Sequence, residues 1–71
     1  MTHTDCITSL LAALDQQIWA ARETSREACH ADRAGNRNLA IGTLLPAEQH
    51  LANANDLLRV ILALHRTAAQ G

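Results

Sequence analysis

From Ile7 to Ala28, small or apolar side chains recur at alternating intervals of four and three residues: Ile7, Leu11, Leu14, Ile18, Ala21, Ser25 and Ala28. A repeat averaging 3.5 keeps one line of side chains on one face of an α-helix, and such a line is buried against another helix. A second segment repeats the logic. Ala47, Leu51, Ala54, Leu58, Ile61, Leu62 and His65 share a face, and Leu57, Val60 and Leu64 add an apolar flank. Between the segments, Gly35-Asn36 suits the left-handed conformation that stops a helix. The pattern predicts an all-α chain forming a single domain over residues 1–71, an antiparallel helical hairpin. Helix 1 is expected over about 5–34, the turn near 35–37, and helix 2 over about 38–68. Thr4 or Asp5 is placed to cap the first helix. Pro46 lacks an amide donor and crowds the carbonyl of Gly42, which predicts a kink or a break across 42–46.

Register decides where the chain turns. A turn at Gly35-Asn36 brings Ile7 opposite Leu64 and Leu14 opposite Leu57 or Leu58, so apolar ends meet. A turn at Gly42–Pro46 sets Leu58–Leu64 against the polar stretch from Thr24 to His30. Burying a large apolar side chain contributes ~1.5–3 kcal/mol, which favours the first register.

Composition supports helices and narrows the functions. Ala (14) and Leu (11) supply 25 of 71 residues, against 3 Gly, 1 Pro, one Trp and no Phe or Tyr. That mixture favours helix and excludes an all-β domain. With 48% apolar residues and a net charge of −1, disorder is not expected. A chain this short has little wall for an enclosed active-site pocket, so a non-enzyme without a cofactor is expected. Six Arg balanced by seven acids argue against nucleic acid as partner. The longest uninterrupted apolar run, Val60–Leu64, is far short of the ~20 residues that span a bilayer. Nor does Met1-Thr2-His3-Thr4-Asp5 read as a secretory leader, so no membrane partner and a cytoplasmic location are expected. Cys6 and Cys29 then read as free thiols.

A lone hairpin leaves its flank uncovered. Leu57, Val60 and Leu64, joined by Leu10 from helix 1, are expected to form the interface of a homodimer, giving a four-helix bundle. Trp19, Arg22, Arg26, His30 and Arg33 fall within roughly 80° on helix 1, turned away from the seam. Trp and Arg are enriched among residues that dominate binding energy, so this stripe is the candidate partner-binding face. Glu27 and His30 have the Glu-x-x-His spacing of di-iron bundles, with Glu23 and Glu48 as further carboxylates, but Glu27 points away from the seam. Cys6 and His65 fall opposite each other, with His3 one turn away, short of the four ligands structural zinc uses. No metal site is therefore expected. Asn53, Asn55 and Asp56 interrupt the apolar positions of helix 2, either as ordinary surface or as groups that set pairing.

The Ile7–Ala28 seam, the Gly35 turn, the apolar Leu57–Leu64 end and the Trp19/Arg stripe, spread over 71 residues, resemble a known group of proteins. These are the very small helical-hairpin dimers with which phages and mobile elements disable host regulators. The pattern is most similar to anti-activators of LuxR-type quorum-sensing regulators, some of which also act on type IV pilus assembly motors. The resemblance implies a homodimer that binds and inhibits a host transcription regulator. A similar pattern fits small secretion co-chaperones or adaptors and plasmid copy-control proteins, and a dimeric metal-binding bundle is the remaining reading.

Overall fold

The computed structural model describes the backbone of residues 3–70 and the side chains of residues 6–68. Two helices account for nearly all of it: α1 (His3–Arg33) and α2 (Arg37–Gln70), packed antiparallel along their length. The hairpin measures 55 × 14 × 14 Å. Its radius of gyration of 16.3 Å exceeds the ~11 Å of a globule of this length, so the chain is a rod two helices wide.

The turn forms where Gly35 predicts it. Gly35 has φ +88°, and a Cβ placed there meets nothing within 4 Å, so the need for glycine is purely conformational. Gly35 N–H donates to the Asp32 carbonyl at 3.0 Å, and Asn36 N–H donates to the Ala31 carbonyl at 3.0 Å. Those two bonds close the end of α1 as a Schellman motif. Asn36 then begins the next helix, its Oδ1 accepting from Leu39 N–H at 3.1 Å. The Asp32 carboxylate accepts from Arg37 Nε across the turn. That hydrogen bond, and then the charge of Asp32, raise the Arg37 pKa above its ordinary value. The capping side chains proposed at Thr4 and Asp5 lie outside the described side chains.

α2 is continuous through Pro46, so of the two expected outcomes, a kink or a break, the break is absent. Pro46 and Gly42 are both exposed, which leaves the carbonyl four residues back free to bond water rather than face a packed neighbour.

Burial shows which residues hold the helices together. The core consists of Ala21, Ala28, Ala31, Ala40, Ala47, Ala54 and Ile61, at 5–8% exposure. Leu10, Leu14, Gln17 and Thr24 on α1, with Thr43, His50, Leu57 and Leu64 on α2, are part-buried beside them. The seam therefore runs 10, 14, 17, 21, 24, 28, 31 against 40, 43, 47, 50, 54, 57, 61, 64. Its centre is polar. His50 Nδ1 lies 3.0 Å from Gln17 Oε1, Asn53 Nδ2 donates to the same oxygen at 3.4 Å, and Gln49 Nε2 donates to Asn53 Oδ1 at 2.8 Å. The turn at Gly35 is thus present, while the Gln17–His50 and Gln17–Asn53 pairs fall one to four residues short of the alignment that sets Ile7 opposite Leu64.

This phase corrects the expected one. Leu14, Ala21 and Ala28 on α1, and Ala47, Ala54 and Ile61 on α2, lie at the seam as anticipated. Leu11, Ile18, Ser25, Leu51, Leu58, Leu62 and His65 do not, and are exposed. Both lines have 3.5-residue periodicity, and they differ by about one residue in rotation. Leu14, Ala21, Ala28, Ala47, Ala54 and Ile61 belong to both lines, so the rotation shows in the residues that differ: Leu10, Gln17, Thr24, His50, Leu57 and Leu64 lie inside, and Leu11, Ile18, Ser25, Leu51 and Leu58 lie outside.

Candidate interaction surfaces

Seven-residue spacing places Trp19, Arg26 and Arg33 on one line of α1 opposite the Ala21–Ala28 seam. Arg22 and His30 flank that line, and all five residues are exposed. Trp19 is 61% exposed. Arg26 Nη1 is paired with Glu23 Oε2 at 3.5 Å, one turn away. Glu23, Arg26, Glu27, His30 and Arg33 together rim a shallow recess of mixed charge. The sequence-derived stripe thus exists as one continuous outward surface. It offers a flat ring beside guanidinium groups, suited to carboxylates or aromatic rings on another protein.

Of the four residues expected at a dimer interface, three lie along the seam of the hairpin and one lies outside it. Leu10, Leu57 and Leu64 are part-buried along the seam inside one hairpin. Leu57 and Leu64 follow His50 by seven and fourteen residues, and Leu10 precedes Gln17 by seven, so they share the lines that already meet. Val60 lies apart from them and is exposed. These three leucines therefore contribute to the packing of α1 on α2 within one hairpin.

A second surface takes the place of that flank. Leu11 and Ile18 from α1 and Ile41, Leu44, Leu51, Leu58 and Leu62 from α2 are all exposed. Ile18, Leu44 and Leu51 line one groove between the helices, and Ile41, Leu44 and Leu51 continue it towards the turn. Leu44 also borders a depression shared with Ala28, Cys29 and Ala40. These grooves form one apolar side spanning both helices. The sequence held the signal in the Ala40, Ala47, Ala54 repeat, which marks the close-contact line and pushes Leu44, Leu51 and Leu58 outward.

Glu27 and His30 are exposed, and among the described residues no three His, Cys, Asp or Glu side chains cluster to hold a metal ion. Cys6 is part-buried and Cys29 exposed, both as free thiols. The side chain of His3 lies outside those described. Among the described residues, no helix is long and apolar enough to cross a membrane. Compared with family models, curated proteins and solved structures, the chain matches none.

Proposed function

We propose that this chain is a non-enzymatic interaction protein that binds a host regulatory protein and inhibits it by occupying its surface. The sequence resemblance points to a LuxR-type quorum-sensing regulator in the cytoplasm as the target, with a pilus assembly motor as a second. The observation that supports this reading most is the outward face of α1. A 61%-exposed Trp19 stands there beside Arg22 and Arg26, on the outward face of a continuous helix. A tryptophan exposed on a hydrophilic line adds nothing to the hairpin's core. It does supply a large anchor at low ordering cost for an interface.

Titration calorimetry against a purified LuxR-type regulator tests the reading. Wild type should bind stoichiometrically. Trp19→Ala should weaken binding by roughly 30-fold or more, the effect of losing about 2 kcal/mol at a hot spot. Arg22→Glu with Arg26→Glu should abolish binding while circular dichroism stays helical. If the charge-reversed protein still binds like wild type, this face is not the docking site.

A further inference from the structure

The apolar side described above contains holes, and their form selects what can fill them. At the level shared by Ala21 and Ala47 the floor is two buried methyl groups, and Ile18, Ser25, Leu44 and Leu51 stand round it. A second hole lies one heptad nearer the turn, floored by Ala28 and Ala40 and rimmed by Ser25, Cys29, Ile41 and Leu44. A ring of larger residues round a small floor is the hole into which a packed helix inserts one large side chain. Two such holes in line, ~10.5 Å apart, match side chains seven residues apart on one helix.

The walls decide between a helix and other occupants. Both banks are α-helix, so their backbone groups are bonded within α1 and α2 and give an extended strand nothing to pair with. The banks also carry both signs of charge. Arg22 stands on the α1 bank and Glu48 on the α2 bank, each one residue beyond the Ala21–Ala47 level. Among the described residues neither is ion-paired within the hairpin. A lipid surface is held by a basic margin, which this mixture does not supply. A second hairpin presents its own groove at its middle, so groove meets groove and the alanine-floored holes stay unfilled. A single helix presents a ridge.

We propose that this side seats one amphipathic α-helix of a partner protein, with large apolar side chains seven residues apart, an acid on the edge facing Arg22 and a base on the edge facing Glu48. The helix lies along the groove as the third member of a three-helix bundle. Trp19, Arg26 and Arg33 lie outside this side. Arg22 borders both surfaces, so it stays unchanged in every variant below, and the outcome is independent of the function proposed for the Trp19 line.

The probe is a fluorescein-labelled peptide of about three heptads, with leucine at the first and fourth positions, glutamate on one edge and lysine on the other. At nanomolar peptide, its anisotropy should rise to saturation as the hairpin is added, and a peptide of the same composition in shuffled order should not bind. Leu44→Glu and Leu51→Glu should each weaken binding by at least ~30-fold. Val60→Glu, exposed but off this side, should bind like wild type. Should the glutamate variants unfold, Ser25→Trp decides: it blocks both holes from an exposed helical position without adding charge, and should weaken binding as much. On peptide addition, backbone amide shifts in NMR spectra should centre on Ala21, Leu44 and Leu51. Equal binding of ordered and shuffled peptides overturns the proposal. So does a helical Leu51→Glu protein that binds like wild type, or a set of shifts centred on Trp19. A free protein that sediments as a dimer through this side and ignores the peptide overturns it too.

Discussion

Leu57 and Leu58 are adjacent and identical in chemistry, yet they belong to different surfaces. Leu57 is part-buried on the line that faces α1, whereas Leu58 is 43% exposed on the apolar side. The contrast extends along α2. Leu57 and Leu64 follow His50 at heptad spacing, while Leu44, Leu51 and Leu58 follow one another one position further round. A helix of this composition thus has two apolar lines, and leucine content does not say which is the inside. The small residues decide, because two helices lie closest where alanine faces alanine.

The most severe way to test that contrast is Leu57→Asp combined with Leu64→Asp. Two carboxylates in the seam should cost about 4 kcal/mol or more together, comparable to the whole stability of a chain this short. Circular dichroism should show loss of helix at every protein concentration. Leu51→Glu, on the exposed line, should by contrast leave helix content unchanged. If both variants lose helix alike, the two leucine lines are not distinct.

Overpacking the alanine line sharpens the same point. Ala47 is 6% exposed, so Ala47→Leu should cost about 1–3 kcal/mol and lower the thermal midpoint. The same change at the exposed Ala52 should stay within about 0.5 kcal/mol. Equal midpoints for the two variants would show that the helices are not held close at Ala47.

Gly35→Ala separates packing from backbone geometry. With φ at +88° and no atom within 4 Å of a new Cβ, the expected cost is about 1 kcal/mol of conformational strain alone. Urea unfolding should show a lower midpoint with an unchanged slope. The smallest effect belongs to Trp19→Ala, which should alter hairpin stability by no more than about 0.5 kcal/mol, since the ring is outside both apolar lines. A larger loss in thermal unfolding would assign Trp19 to a packing role.

The turn and the antiparallel pairing of the helices were legible in the sequence because Gly35 has one conformational reason to be there; the alignment was not, since Gln17 pairs with His50 and Asn53, one to four residues short of the register that sets Ile7 against Leu64. The continuity of α2 was not legible, because solvent access at Gly42 and Pro46 is a property of the packed hairpin. Rotation about the helix axes was misread for a specific reason. Large apolar side chains dominate any reading of apolar periodicity, so Leu11, Ile18, Leu51 and Leu58 outweighed Gln17, Thr24, Ala31, Ala40 and His50, while Ala21, Ala28, Ala47 and Ala54 belong to both lines. The Trp19 stripe was legible as a surface because Trp19, Arg26 and Arg33 lie opposite the seam, although Arg22 at its edge borders the groove lined by Ile18 and Leu51.

Ala40, Ala47 and Ala54 are equally spaced teeth, and a row of equal teeth can mesh after a shift of one tooth as well as before it. What distinguishes one setting from the next is the group at the centre of the row. A seven-residue slip of α2 brings Gln17 against Leu57 or Thr43, and His50 against Leu10 or Thr24. The His50–Gln17 hydrogen bond of 3.0 Å then has no counterpart, and a polar side chain at the seam pays for its own desolvation. The Gln17–His50–Asn53 layer is therefore an irregular tooth in a largely periodic rack, and it helps give a repetitive sequence a single address.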